Sequence, residues 1–214
     1  MNQHKKNIYS QNGEDGILLH LLPKIERSRL VVEFGAWDGK HMSNTFNLVK
    51  NWGWNAIYIE GDEVKFKDLL KTAEEHPSIY PVCEYVGLTK QLEDIIDEAP
   101  FGGAPDVLSI DIDGLDYKIW DNYNPKFKKS PAIVIIEINS SLEPTHIMSD
   151  EELTYHLLAE RGVNFMTMVK LAEAKGYTLV AHTGNCIFVR NDYAKQFDVN
   201  PNAIELFDTK WFVG

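Results

Sequence analysis

One stretch constrains this chain more than any other: Val31-Val32-Glu33-Phe34-Gly35-Ala36-Trp37-Asp38-Gly39. Its apolar half reads as a buried strand that ends in an acid and runs into a glycine-bearing turn. Gly35 and Gly39 carry no Cβ, so the backbone there can turn sharply and approach a ligand. Ser43-Asn44-Thr45 follow and read as the opening of a helix. Strand, glycine turn and helix in succession is how α/β folds build a nucleotide pocket at the carboxyl edge of a sheet. The plain structural reading of the same residues is a tight connection and nothing more.

The rest of the chain repeats the alternation. Helical periodicity covers Glu14 to Ile25, with Ile17, Leu18, Leu21 and Leu22 on one face. Strands are expected at Leu30 to Phe34, Ala56 to Glu60, Ile79 to Val86, Val107 to Ile112 and Ala132 to Ile138. Between them lie helices at Ser43 to Asn51 with Gly53 as C-cap, Glu63 to Glu75, Thr89 to Ala99 and Leu115 to Tyr123. Ser149 and Glu152 form a capping box ahead of Leu153 to Ala159, and Asn164 caps a helix through Lys175. Strands Thr178 to Ala181 and Cys186 to Arg190 close the chain through the hairpin-type turn His182-Thr183-Gly184-Asn185. Regular β-α alternation implies a mostly parallel sheet covered by helices on both faces, with an antiparallel strand from the terminal hairpin. The Trp52, Trp54 and Trp120 rings are expected to pack, as is the run Phe165, Met166, Met168, Val169, Leu171.

With 214 residues the chain suits one domain with a full core, residues 1–214, preceded by a helical extension or lid over residues 1–28. A net charge of -11 argues against a nucleic-acid footprint, which needs a basic face. Cys83 and Cys186 make no CxxC pair, so a disulfide framework or structural zinc site is not expected. No apolar run reaches the ~18 to 20 residues of a membrane span, and Met1 to Ser10 lack a signal-peptide core. A cytoplasmic protein, not inserted in a membrane, is the expectation.

Two further acidic features carry chemistry. Glu60 ends the second strand about one βαβ unit after Glu33, where Rossmann-like sheets place a carboxylate for ribose hydroxyls. Next, Ser109-Ile110-Asp111-Ile112-Asp113-Gly114 puts Asp111 and Asp113 on one face of a strand end, and Glu137-Ile138-Asn139 does the same one strand on. Neighbouring strands would bring these four oxygen-bearing side chains together. Such a set either holds Mg²⁺ or Mn²⁺, with Asp111, Glu137 and Asn139 as ligands, or keeps a raised pKa and acts as general base. Asp111, Asp113 and Glu137 are the candidate catalytic residues.

Taken together these motifs resemble class I S-adenosylmethionine-dependent methyltransferases, and in detail the FkbM-like branch. The resemblance rests on Tyr9-Ser10-Gln11-Asn12-Gly13-Glu14-Asp15-Gly16-Ile17, Phe34 to Gly39, Ser43-Asn44-Thr45, Ser109 to Gly114 and Glu137-Ile138-Asn139, and spans about Tyr9 to Arg190. It implies a three-layer Rossmann-like methyltransferase fold, seven strands in the order 3-2-1-4-5-7-6, and methyl transfer to a hydroxyl of a small-molecule or carbohydrate acceptor. It also implies that Glu33, Gly35, Ala36 and Gly39 form the loop that cradles the cofactor's methionine part. Glu60 would hold the ribose, Tyr85 and Val86 the adenine, and Asp111 would stand beside the transferred methyl. Trp37 departs from the pattern, standing where many methyltransferases have a glycine.

Other readings use the same residues. Asp111-Ile112-Asp113-Gly114 also resembles the nucleophile motif of haloacid-dehalogenase-type phosphatases, and Asp-x-Asp resembles metal-dependent glycosyltransferases. A catalytically inactive nucleotide-binding partner subunit is a third. Gln11, Glu14 and Asp15 read either as a capped surface helix or as part of a lid. His146 and His182 are placed to reach an acceptor pocket if they are not simply solvated. Homo-oligomerisation is compatible with the sequence.

Overall fold

The computed structural model describes residues 1–25, 28–125 and 130–208. Strands β1 (Leu30–Phe34), β2 (Asn55–Ile59), β3 (Ile79–Val82), β4 (Val107–Ile110), β5 (Ile133–Glu137), β6 (Tyr177–His182) and β7 (Asn185–Arg190) form one sheet in the order β3-β2-β1-β4-β5-β7-β6. The pairs β1–β2, β1–β4, β2–β3 and β4–β5 are parallel, and β7 runs antiparallel to both β5 and β6. This is the strand order expected from the resemblance.

Both faces of the sheet are covered, which is why its central strands are apolar along most of their length, broken by Glu33 in β1 and Ser109 in β4. Leu30, Val32 and Phe34 of β1 face a layer built from α4 (Leu92–Glu98), α5 (Asp116–Asn122) and α7 (Phe165–Ala174). Val31 faces the other layer, built mainly from α1 (Glu14–Leu21), α2 (Phe46–Trp52) and α3 (Glu63–Glu75). Trp120 of α5 lies fully buried between Tyr177 and Phe188, with ring centroids 5.7 and 5.3 Å away. Burial of side chains of this size stabilises by ~1.5–3 kcal/mol each. Trp54 is buried as expected, but Trp52 is 55% exposed. It is the last residue of α2, and Gly53 at φ 67 turns the chain away immediately after it.

Several element ends differ from the sequence reading. The first helix stops at Leu21 and gives way to a 3-10 turn, Leu22–Lys24, around Pro23. The strand expected to reach Val86 ends at Val82, so residues 83–86 leave the sheet and become free to line a cavity. Pro81 lies in that strand and has no N–H to give a ladder. Helix α2 opens at Phe46 rather than Ser43, because Ser43 to Thr45 are turned onto Glu33. Thr89 caps no helix; its hydroxyl donates to Glu84, and Gln91 precedes α4. The terminal turn is tighter than expected. His182 and Asn185 belong to the strands, and Thr183-Gly184 alone make the connection, with Gly184 at φ 99.

The caps of the later helices form as read. Ser149 and Glu152 make the capping box of α6 (Asp150–Leu158), and Asn164 accepts from the Thr167 N–H. The expected N-terminal extension includes residues 26 and 27, which lie outside the described residues. Its earlier part is tied down. Asp15, 1% exposed, accepts the successive N–H groups of Ile8, Tyr9 and Ser10 at 2.8, 2.7 and 2.8 Å. Glu14, fully buried, accepts from the Thr183 hydroxyl at 2.5 Å, which fastens the segment to the β6–β7 turn. Among the described residues no helix is long and apolar enough to cross a membrane.

Candidate active site

The loop after β1 is set by the strand acid. The Glu33 carboxylate accepts from the Ser43 hydroxyl at 2.9 Å, the Asn44 N–H at 3.2 Å, the Thr45 N–H at 3.1 Å and the Thr45 hydroxyl. Burial pushes this carboxyl up from its ordinary range, and the bonds from Thr45, Ser43 and Asn44 oppose that shift. Glu33 therefore closes the loop on itself and does not line the cavity that the loop borders. Gly35 does line it, at φ 74, with Asp111 directly against its Cα. Ala36 is buried and bonds to the Ile59 carbonyl through its N–H at 3.1 Å. Gly39, at φ 75, packs on Leu69 of α3 and on Tyr58.

Glu60, 7% exposed, stands just past β2. Its Oε2 accepts the Trp37 N–H and its Oε1 the Asp62 N–H, both at 2.8 Å. These bonds fix the carboxylate in the cavity wall and leave lone pairs for further donors. Trp37 pays for its place in the glycine pattern with a left-handed φ of 46. Tyr85, 54% exposed, covers Gly61: a Cβ on residue 61 would lie 2.6 Å from its ring. The cavity, about 390 Å³, is lined by Phe34, Gly35, Glu60, Gly61, Tyr85, Val86, Asp111 and Asp113 among others. That volume falls within the ~300–1,000 Å³ of small-molecule sites.

A second cavity of about 370 Å³ adjoins the first, sharing Asp113 and Glu160 with it. Its lining is polar and includes Glu137, Asn139, Ser140, Ser141 and Arg161. The Ser140 hydroxyl is buried there without a hydrogen-bond partner. Between the cavities stand Asp111, Asp113 and Glu137, which offer carboxylate oxygens all within 4.8 Å of one another. Burial, followed by the charges of Asp116, Asp113, Glu33 and Glu14, pushes Asp111 up to about 7. Burial, followed by Asp111, Asp116 and Asp113, pushes Glu137 up to about 8. Three carboxylates this close repel one another, so the group is built to take up positive charge, as protons or as a cation.

Asn139 lines the second cavity beside Glu137, with its amide already engaged. Its Nδ2 donates to the Arg161 carbonyl at 2.7 Å, and its Oδ1 accepts from the Ser141 N–H at 3.1 Å and hydroxyl at 2.5 Å. The amide ties the Arg161 segment to the end of β5, and Asp113 offers an oxygen to the cluster beside Asp111 and Glu137. The histidines stand apart from both cavities. His182 is fully buried, stacked on Phe207 at 4.7 Å and edge-on to Phe165, and it accepts the Asp208 N–H at 3.0 Å. Burial drives it down to about 4, which leaves it a neutral packing group at pH 7. His146 is on the surface, 2.9 Å from Glu152.

The sequence reading missed Asp116. This residue opens α5, is 2% exposed, and accepts the Ile112 N–H at 3.0 Å and the Gly114 N–H at 2.9 Å. It holds the loop that carries Asp113, whose φ of 59 is itself left-handed. The clue was an acid two residues past Asp-Gly at a helix start, the pattern of a side chain satisfying nearby backbone N–H groups.

No protein-family model matches the chain, and no curated protein matches its sequence. Solved structures do match. PKMT2 from Rickettsia typhi superposes with a TM-score of 0.55 at 9% identity, covering 92% of this chain and 56% of that one. The citrinin polyketide synthase CMeT domain gives 0.51 at 10% identity, covering 86% and 55%. A SAM-dependent methyltransferase from Aquifex aeolicus gives 0.46 at 11% identity, covering 82% and 87%. The chain spans little more than half the length of the first two. The architecture is the Rossmann-like methyltransferase fold, a seven-stranded, mostly parallel α/β sheet with antiparallel C-terminal strands.

Proposed function

We propose that the protein transfers a methyl group from S-adenosylmethionine to a hydroxyl oxygen of a small polar acceptor of carbohydrate type, as a member of the FkbM-like branch. The observation that carries this reading is the position of Asp111, Asp113 and Glu137 on the wall between two cavities of different character. The first cavity suits the cofactor: Glu60 offers a fixed carboxylate for ribose hydroxyls, and Tyr85 offers an exposed aromatic face for adenine. The bound cofactor supplies an electrophilic methyl group. The second cavity offers an acceptor hydroxyls, an amide and carboxylates, with Ile138 its one large apolar residue.

A hydroxyl is a poor nucleophile at neutral pH, and it must lose its proton during attack. Asp111 and Glu137 are poised to take that proton at a carboxylate oxygen, because their raised pKa values lie near neutrality. The same oxygens with Asp113 suit Mg²⁺ or Mn²⁺, which favour carboxylate ligands and lower the pKa of a bound hydroxyl. Asp116 and Asn139 keep the two supporting loops still. Calorimetric titration tests the reading: S-adenosylmethionine and S-adenosylhomocysteine are expected to bind, with NAD and sugar nucleotides silent. Tight binding of a sugar nucleotide and none of either adenosyl compound would overturn it.

A further inference from the structure

The cofactor cavity carries more negative charge than ribose binding needs. Its lining holds the carboxylates of Glu60, Asp62, Glu84, Asp111, Asp113 and Glu160 against the single ammonium of Lys65. Glu60, Asp62, Glu84 and Glu160 lie outside the cluster on the cavity wall. Three of them are fixed in place. Glu60 is held by two backbone N–H groups, Asp62 by those of Val64 and Lys65, and Glu84 by the Thr89 hydroxyl at 2.6 Å. A neighbour registers the field: the Cys83 thiol is pushed up by burial and then by Glu63, Glu60, Glu84 and Asp62.

We propose that this cavity selects its ligand by charge, holding the cationic sulfonium form of the cofactor in preference to the neutral thioether left after transfer. The inference rests on the methyl-transfer reading above. S-adenosylmethionine carries a sulfonium, an ammonium and a carboxylate, for a net charge of plus one. S-adenosylhomocysteine has lost the sulfonium charge with the methyl group and is otherwise the same molecule. Both make the same ribose and adenine contacts, so any difference in their affinities reports the field at the sulfur. A cavity whose charged lining is carboxylate but for Lys65 attracts the first more than the second, and the product then leaves because the charge that held it has gone. Product inhibition is correspondingly weak.

The test is calorimetric titration of the intact protein with S-adenosylmethionine, S-adenosylhomocysteine and sinefungin, which has an ammonium in place of the sulfonium and no transferable methyl. At ionic strength of about 0.05 M the two cations are expected to bind about tenfold more tightly than the thioether. At about 0.5 M the gap is expected to narrow several-fold, because these acids border an open cavity and are screened. The double variant Glu84→Gln, Glu160→Gln is expected to lose affinity for both cations while keeping that for the thioether. The retained thioether binding shows at once that the variant is folded. Thioether binding as tight as that of the cations, or a gap indifferent to salt and to the double variant, overturns the inference and leaves the methyl-transfer reading standing. Failure of all three to bind removes that reading, and the inference with it.

Discussion

The backbone carbonyl of Asp111 occupies the space that a side chain on residue 35 would need: a Cβ built on Gly35 would lie 1.6 Å from it. The glycine turn after β1 and the acid after β4 are thus one unit, because β1 and β4 are neighbours and Phe34 pairs with Ile110. Gly35→Ala must also bear a φ of 74. The substitution is expected to cost roughly 2–4 kcal/mol of stability, through strain and forced displacement of the Asp111 loop. It is also expected to abolish turnover. Thermal unfolding and an activity assay on the same preparation check this, and a variant of unchanged stability would show that the contact is not as close as described.

Asp116 is the hidden support of the cluster. Asp116→Ala leaves the Ile112 and Gly114 N–H groups without their acceptor. Two lost bonds to a charged group are expected to cost roughly 2–4 kcal/mol and to loosen Asp113. Asp116→Asn keeps one acceptor oxygen and is expected to recover part of the loss. Equal stability of the Ala and Asn variants would mean that these bonds contribute little.

The clustered carboxylates make stability depend on pH in a direction opposite to the usual acid response. Asp111 at about 7 and Glu137 at about 8 hold their protons more tightly in the folded protein than in the unfolded chain, where carboxyls titrate near ~4. The folded state therefore binds more protons between those limits. The contribution is complete below pH ~4 and is lost as pH rises through about 7 to 8. Without divalent cation, the melting temperature is expected to fall between pH ~5 and ~9, and Glu137→Gln is expected to flatten that fall. A melting temperature that rises across this range in the parent protein would refute the coupling. Mg²⁺ is expected to restore stability at the alkaline end if the cluster binds it.

Glu60 has a different kind of task. Its carboxylate is already anchored by Trp37 and Asp62, so under the proposed function ribose hydroxyls would meet an acceptor that needs no rearrangement. Glu60→Ala removes two potential ribose bonds and also frees the Trp37 N–H. Cofactor affinity is expected to fall by ~1–3 kcal/mol, about 5- to 150-fold, with Asp111 chemistry untouched once cofactor is saturating. Titration calorimetry reads the first effect and saturated turnover the second.

Much of this architecture can be read from the chain, because each element carries its own local cause. Strands β1, β2, β4 and β5 are apolar on both faces, Asn164 and Ser149 cap their helices, and acids stand at the ends of the strands that border the site. What escaped the reading depends on contacts distant in sequence. Glu33 is consumed by residues ten to twelve positions later, so the strand acid serves the loop rather than the cavity. His182 is buried because the segment around Phe207 folds back over it, which no local pattern announces. The partners of the Asn139 amide, Arg161 and Ser141, lie beyond the end of β5 at Glu137, where strand alternation no longer announces them.

The catalytic assignment rests most heavily on Asp111. It lines the first cavity together with Asp113, and it alone of the cluster packs against the glycine turn while lying within reach of both other carboxylates. Asp111→Asn conserves shape and removes the charge and the proton-accepting oxygen. Turnover is expected to fall by at least 10²-fold, the lower bound for loss of a positioned acid or base. Cofactor affinity is expected to change far less, because Glu60 and Tyr85 remain. A chelator then separates the two ways in which the cluster can work. Activity lost on chelation and regained with Mg²⁺ or Mn²⁺ assigns Asp111, Asp113 and Glu137 to a cation that lowers the acceptor's pKa. Activity indifferent to chelation assigns the proton to Asp111 or Glu137 directly, and the pH–rate profile is then expected to follow the titration of that pair. Near-full turnover by Asp111→Asn on the true acceptor would exclude both, and would move the chemistry away from the wall between the two cavities.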